Sequence, residues 1–480
     1  MEGVLLLVVG AILLASLLGA FAAGRTGLPL LVVFLGLGML LGSEGPGGIP
    51  FDDPEFARAI GVVGLVAILY EGGLTTAWRG LRPVLRTASL LATVGVLVTA
   101  VVTGLGAVLL FDDLDLQTSL LLGAVVASTD AAAVFATLRF TPLRRRIARV
   151  LEAESGGNDP FAVALTIGLI GWIEGEIGAA GFGLLVVGEL ALGLVFGALL
   201  GFAASWGLAR MPLSMDPFVP VASIAAAAFS YGLTDVAHGS GFLAVYVVGL
   251  FVGNTRSPFR HEIVSFHQGL AFLAQIVLFV VLGLLVFPSE LAPVALPGIA
   301  LTIVLLLVAR PLAVWVSTLG QGFSRPELAV LGWAGLRGAV PIVLATFAQS
   351  EGIEQSDTIF NAVFFVVLVS ALLQGTTLEW VARRLGVVRV AAPAWRAPIE
   401  VGVVGLELLE YTVRADEAPA DSFVRDLGLP REALVAVIVR HGRSIPPRGS
   451  TRIEAGDQLF VLTGRAARDE VEALFADWRR

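Results

Sequence analysis

The chain has 480 residues, 56% of them hydrophobic and 15% charged, with a formal charge of −8. An ordinary soluble domain carries roughly 25% charge, so most of this chain is composed for a lipid environment. Cysteine is absent and all 31 basic residues are arginine, which excludes disulfides, thiolate metal sites, cysteine nucleophiles, a P-loop lysine and a Schiff-base lysine. An ion gradient is therefore the natural energy source for any transport.

Leu5 to Ala22 follows Met1 and Glu2 without a basic leading region, so a membrane span is expected there rather than a cleaved signal peptide. Similar uncharged runs recur at Leu90 to Leu110 and Ile359 to Leu373. Dividing residues 3 to 385 at charged or Pro/Gly-rich breaks predicts about thirteen transmembrane helices of roughly 17 to 25 residues. Linkers with Arg79, Arg82 and Arg86, then Arg144 to Arg146, then Arg256 and Arg260, then Arg383 and Arg384 alternate with acidic ones. The acidic linkers hold Asp52, Asp53 and Glu55, then Asp112, Asp113 and Asp115, then Glu174 and Glu176. The positive-inside rule puts the arginine linkers in the cytoplasm, the N-terminus outside and the C-terminus inside a bacterial plasma (inner) membrane.

Ionisable groups inside spans are costly and mark function. In chain order the first is Glu71, near the inner end of the third span. Ser128, Thr129 and Asp130 then interrupt the span from Gln117 to Leu138, as expected of a broken helix that aims its half-helix ends at a midplane site. Next comes Glu154, Ser155, Gly156, Gly157, Asn158, Asp159, Pro160 within an apolar helix from about Ile147 to Ile170. At helical spacing Ser155 and Asp159 share one face and Glu154 and Asn158 the adjacent one. Pro160 cannot donate to the Gly156 carbonyl. Carboxylate, hydroxyl and loosened backbone oxygens suit a small alkali cation. Gly335 to Pro341, with the lone Arg337, is expected to break the span from Glu327 to Gln349. Asp130 and Arg337 would then compensate the positive and negative half-helix ends.

From about Pro393 the charge density becomes ordinary, which predicts a transmembrane domain over 1–390, a linker over 391–399 and a small soluble α+β domain over 400–480. Strands are expected at Leu434 to Val439 and Gln458 to Thr463, with a Pro/Gly-rich turn at Arg443 to Gly449 between them. Leu429, Pro430, Val439, Arg440, Gly442 and Pro447, followed by Gly456, Asp457, Gln458 and Leu459, resemble the C-terminal subdomain of TrkA-type potassium-transport regulators. That resemblance implies a regulatory, cytoplasmic module, with a cyclic dinucleotide such as cyclic di-AMP as candidate effector. An inert assembly role stands beside it.

Ser128 to Leu138, Glu154 to Pro160 and Gly335 to Pro341 resemble, in order, the broken fifth, the sixth and the broken twelfth helices of NhaP-like monovalent cation:proton antiporters. The resemblance covers about residues 3 to 390. It implies an all-α polytopic fold with inverted repeats, a homodimer, and a mobile six-helix core. It also implies cation and proton binding at Asp159 and Ser155, the Thr129 backbone carbonyl, Asp130 and Glu71. Glu154 would pair with Arg337, steadied by Asn158. No cofactor and no nucleic-acid partner are expected, and the transported species are potassium or sodium and protons. Potassium is favoured by the tail and by the match of the core motifs to potassium-type antiporters. Because Asn158 is neutral, one-for-one electroneutral exchange is expected. A gated cation channel is the alternative; no repeated carbonyl filter segment favours it. Protease readings fail on the residues flanking Asp130, Asp159 and Ser240, and the four histidines, His238, His261, His267 and His441, never form a His-x-x-x-His pair.

Overall fold

The computed structural model describes residues 2–26, 28–138, 141, 143–388, 399–401, 406–414, 416–440, 443–464 and 467–478. They fall into two compact units, Met1–Val388 and Arg389–Arg480.

The first unit is helical. Among the described residues, seven helices are long and apolar enough to cross a membrane: Pro54–Thr75, Trp78–Leu110, Gly181–Leu208, Val219–Val236, Arg260–Leu284, Pro288–Thr318 and Ser356–Arg384. Shorter apolar helices, including Leu30–Leu41 and Gly241–Asn254, lie among them. Arg145–Ile173 is a continuous helix of 29 residues that holds Pro160 in its interior, and the polar run Glu154 to Asp159 dilutes its hydropathy.

Two spans are interrupted where the sequence predicts it. The first divides into Leu116–Val125 and Ala131–Thr137, the second into Arg325–Trp333 and Ala339–Ser350. Local chemistry starts each piece. Asp115 accepts from the Thr118 amide at 2.8 Å and Asp130 from the Ala133 amide at 3.0 Å, which satisfies amides that have no partner in a helix's first turn. Ser324 and Glu327 form a capping box. Pro341 sits in the first turn of Ala339–Ser350, where its missing N–H costs nothing. The first interrupted span begins after the acidic linker Asp112 to Asp115. The second begins after a linker whose Gln321 and Gly322 carbonyls accept from Arg146, so the two enter from opposite faces.

Each interrupted span follows a long helix with one π-turn, Leu91–Gly95 in the first case and Leu305–Ala309 in the second. The same pair of devices, used twice in opposed directions, is the inverted repeat of the fold.

The second unit is a five-stranded antiparallel sheet with one helix, Arg468–Asp477. Its strands are β1 (Ile399–Val401), β2 (Leu406–Thr412), β3 (Ala433–Arg440), β4 (Arg443–Ile445) and β5 (Gln458–Gly464), in the order β1-β2-β5-β3-β4. Tyr411, Phe475 and Trp478 pack with Leu409, Ile438, Leu459 and Val461 in its core. The expected turn over Arg443 to Gly449 is shorter than the sequence suggested, because Arg443 to Ile445 pair with Arg440 to Ile438. Arg440 holds the fully buried Asp457 through two contacts of 2.8 Å. Gly442, His441 and residues 391–398 of the expected linker lie outside the described residues.

Candidate functional site

The two breaks meet at a backbone hydrogen bond: the Asp130 amide donates to the Leu336 carbonyl at 2.8 Å. Beside it, a Cβ added at Gly338 would stand 2.3 Å from Asp130 Oδ2, so the crossing requires glycine there. Arg337 is fully buried, and its Nη1 donates to the carbonyls of Ala127 and Ser128. Those oxygens follow the C-terminal end of Leu116–Val125, where helix carbonyls lack amide partners and the dipole is negative. The Arg337 amide donates to Ser370, Ser370 to Gln374, and Gln374 to the Trp333 carbonyl at the end of the other half-helix.

The pairing expected between Glu154 and Arg337 is not the one found. Glu154 accepts both terminal guanidinium nitrogens of Arg310, with the Nη2 contact at 3.0 Å, and Arg310 Nη2 also donates to the Leu331 carbonyl. Both side chains are sequestered, at 2% and 1% exposure. The reason is backbone placement: Arg310 directly follows the π-turn Leu305–Ala309 and lies against Gly335, whose added Cβ would be 2.7 Å from Arg310 Nε. Arg337 turns its Nη1 to the Ala127 and Ser128 carbonyls, while its Nε and Nη2 have no hydrogen-bond partner among the described residues. Asn158 does not steady that pair either; its Nδ2 donates to Thr129 Oγ1 at 2.6 Å and weakly to the Thr129 carbonyl at 3.4 Å. Arg310 was missed, although a single charge in the run from Gly298 to Thr318 is itself a signal.

The other face of Arg145–Ile173 borders a cavity of about 420 Å³. Asp159, Ser155, Asp130, Thr129 and Glu71 all line it, with Ser128, Tyr246, Gln275 and Gly338. Ser155 Oγ accepts from the Ala131 amide at 3.2 Å, and Ser128 lines the same cavity as Asp159. A Cβ at Gly156 would collide with the Tyr246 ring at 2.2 Å, so the helix approaches Tyr246 through glycine. Asp159 makes no ion pair among the described residues, in contrast to Glu154. Its carboxylate, the Ser155 hydroxyl and the incompletely used Thr129 carbonyl are hard oxygen donors that suit a monovalent cation as cargo.

The sodium/hydrogen exchanger, transmembrane family matches residues 12–384, and the TrkA-C domain matches residues 408–476. The chain is 38% identical to the K(+)/H(+) antiporter NhaP of Alkalimonas amylolytica, over 98% of this chain and 83% of that protein. It is also 38% identical to the K(+)/H(+) antiporter NhaP2 of Shewanella sp. (strain MR-4), with the same coverage of both. The solved structure of the sodium proton antiporter MjNhaP1 from Methanocaldococcus jannaschii at pH 8 superposes with a TM-score of 0.71 and 25% identity, covering 80% of this chain and 99% of that one. The chain belongs to the sodium/hydrogen exchanger family: it is a multi-pass membrane transporter of the monovalent cation/proton antiporter type, not an enzyme, and it carries a TrkA-C domain.

Proposed function

We propose that the protein exchanges potassium for protons one-for-one by competition at Asp159. The observation that carries this reading is the division of labour among the buried acids. Glu154 is neutralised by Arg310 and Asp130 caps a half-helix, whereas Asp159 faces the cavity beside Ser155 without a cationic partner among the described residues. A carboxylate in that position is neutralised either by a proton or by a cation, and alternating access moves the neutralised core across. Asn158 adds no second titrating acid, so the loaded core carries the same charge in both directions and the cycle moves none.

The cation is potassium in this reading because relatives matched along nearly the whole chain are named for it; sodium is the second reading, favoured by the name of the structural neighbour. Arginine distribution supports a bacterial inner-membrane setting with the N-terminus outside and the C-terminus in the cytoplasm. The transporter works as a homodimer, Glu71 assists the cation, and the domain over 400–480 regulates exchange in response to a cyclic dinucleotide.

The test is exchange in proteoliposomes, followed with an internal pH dye, for each alkali cation. Asp159→Asn should fold and elute as wild type yet abolish exchange; retained proton-coupled flux in that variant removes Asp159 from the mechanism. With the potential set by a gradient of a permeant anion instead of potassium and valinomycin, and potassium as test cation, the wild-type rate should not respond to voltage, although one transported charge would feel about 2.3 kcal/mol per 100 mV.

A further inference from the structure

Among the described residues, the cavity that contains Asp159 has four acids in its wall, Glu71, Asp130, Glu152 and Asp159, and no basic residue. The site described above has no role for Glu152. It precedes Asp159 by seven residues on the same helix, which is two turns and about 10 Å along the axis. Glu152 and Thr76 also line a neighbouring cavity of about 250 Å³, and there the wall carries Arg79 and Arg149. Glu152 therefore stands at the junction between an arginine-bearing rim and an acid-lined chamber, with Arg149 one turn earlier as its electrostatic neighbour.

A cation that approaches Asp159 from this side passes two positive charges first. An acid at the junction offsets them and raises the local cation concentration. We propose that Glu152 is a positioning residue for the transported cation: it draws the ion past Arg79 and Arg149 and passes it to Asp159, so it sets apparent affinity from the arginine-lined side alone. This rests on the reading of Asp159 as the exchange site.

The experiment compares wild type, Glu152→Gln, Glu152→Asp, Arg149→Gln and Asp159→Asn as full chains. Each is assayed in everted and in right-side-out membrane vesicles, with potassium or sodium added on one side at a time. Glu152→Gln should raise the cation KM by about two- to fifteenfold from the arginine-lined side, the range of a unit charge at about 10 Å in media between water and a protein surface. Vmax and the KM from the opposite side should not change. Glu152→Asp should restore the wild-type KM, Arg149→Gln should lower it, and impermeant salt should shrink the differences. An unchanged KM on the arginine side, an equal rise from both sides, or a lower Vmax at constant KM would overturn the proposal. The Asp159→Asn arm separates the two readings. Exchange retained there removes Asp159 as the site, whereas loss there with an unmoved Glu152→Gln KM removes only Glu152.

Discussion

Arg310→Met isolates the buried ion pair. The substitution keeps an unbranched side chain of comparable length but withdraws two donors from Glu154 and one from the Leu331 carbonyl. Because Glu154 is 1% exposed, its carboxylate cannot turn to water, and breaking one partner of such a pair costs about 3 to 5 kcal/mol. Loss of the Leu331 contact is smaller, about 1 kcal/mol for a neutral acceptor. Glu154→Leu in the same chain removes the stranded charge, and replacement of a whole buried pair by apolar residues is close to neutral or stabilising. The double variant should therefore recover most of the stability lost in the single one. Arg337→Met leaves carbonyls rather than a carboxylate unsatisfied, and adding Glu154→Leu should not rescue it. Thermal midpoints of detergent-purified variants, combined in double-mutant cycles, measure both couplings. Coupling of Glu154 to Arg337 that exceeds its coupling to Arg310 would refute the assignment.

Gly338→Ala should abolish exchange and lower the midpoint, since its Cβ would meet Asp130 Oδ2 at 2.3 Å; wild-type transport in that variant would show that the crossing yields. In the soluble unit, Arg440→Leu leaves the fully buried Asp457 with the Glu454 amide as donor but without the guanidinium, which is 21% exposed. The loss should be about 2 kcal/mol, between the values for exposed and buried pairs. Hydrogen exchange over β3 and β5 in the full chain reads it, and unaltered protection would mean that the pair is ornamental.

Much of the site is written in short-range sequence. The breaks at Ser128 to Asp130 and Gly335 to Pro341 follow from residues that cap, unwind or cannot donate, and the two faces of Arg145–Ile173 follow from helical spacing. The partner of Glu154 is not short-range information. Arg310 and Arg337 are both lone cations in apolar spans, and only tertiary packing decides which guanidinium reaches the acid. Asn158, expected beside a Glu154–Arg337 contact, instead meets Thr129 because the broken helix brings that residue against it. The strand β4 eluded the sequence because three residues beside prolines carry a turn signal as strongly as a strand signal.

The π-turn at Leu305–Ala309 gives chain length a meaning here that composition lacks. A wider turn absorbs one residue more than the α-helical ladder, so the side chains after it keep the direction they would have in a regular helix one residue shorter. Deleting one residue of that turn would leave a regular apolar helix with Arg310 still facing Glu154, whereas inserting one would exceed what the turn absorbs and swing Arg310 by about 100°. Among relatives of this protein, a one-residue gap in that stretch should thus be tolerated and a one-residue insertion should be far rarer than any substitution within it, because the insertion would uncouple the guanidinium from Glu154 without changing a residue of either.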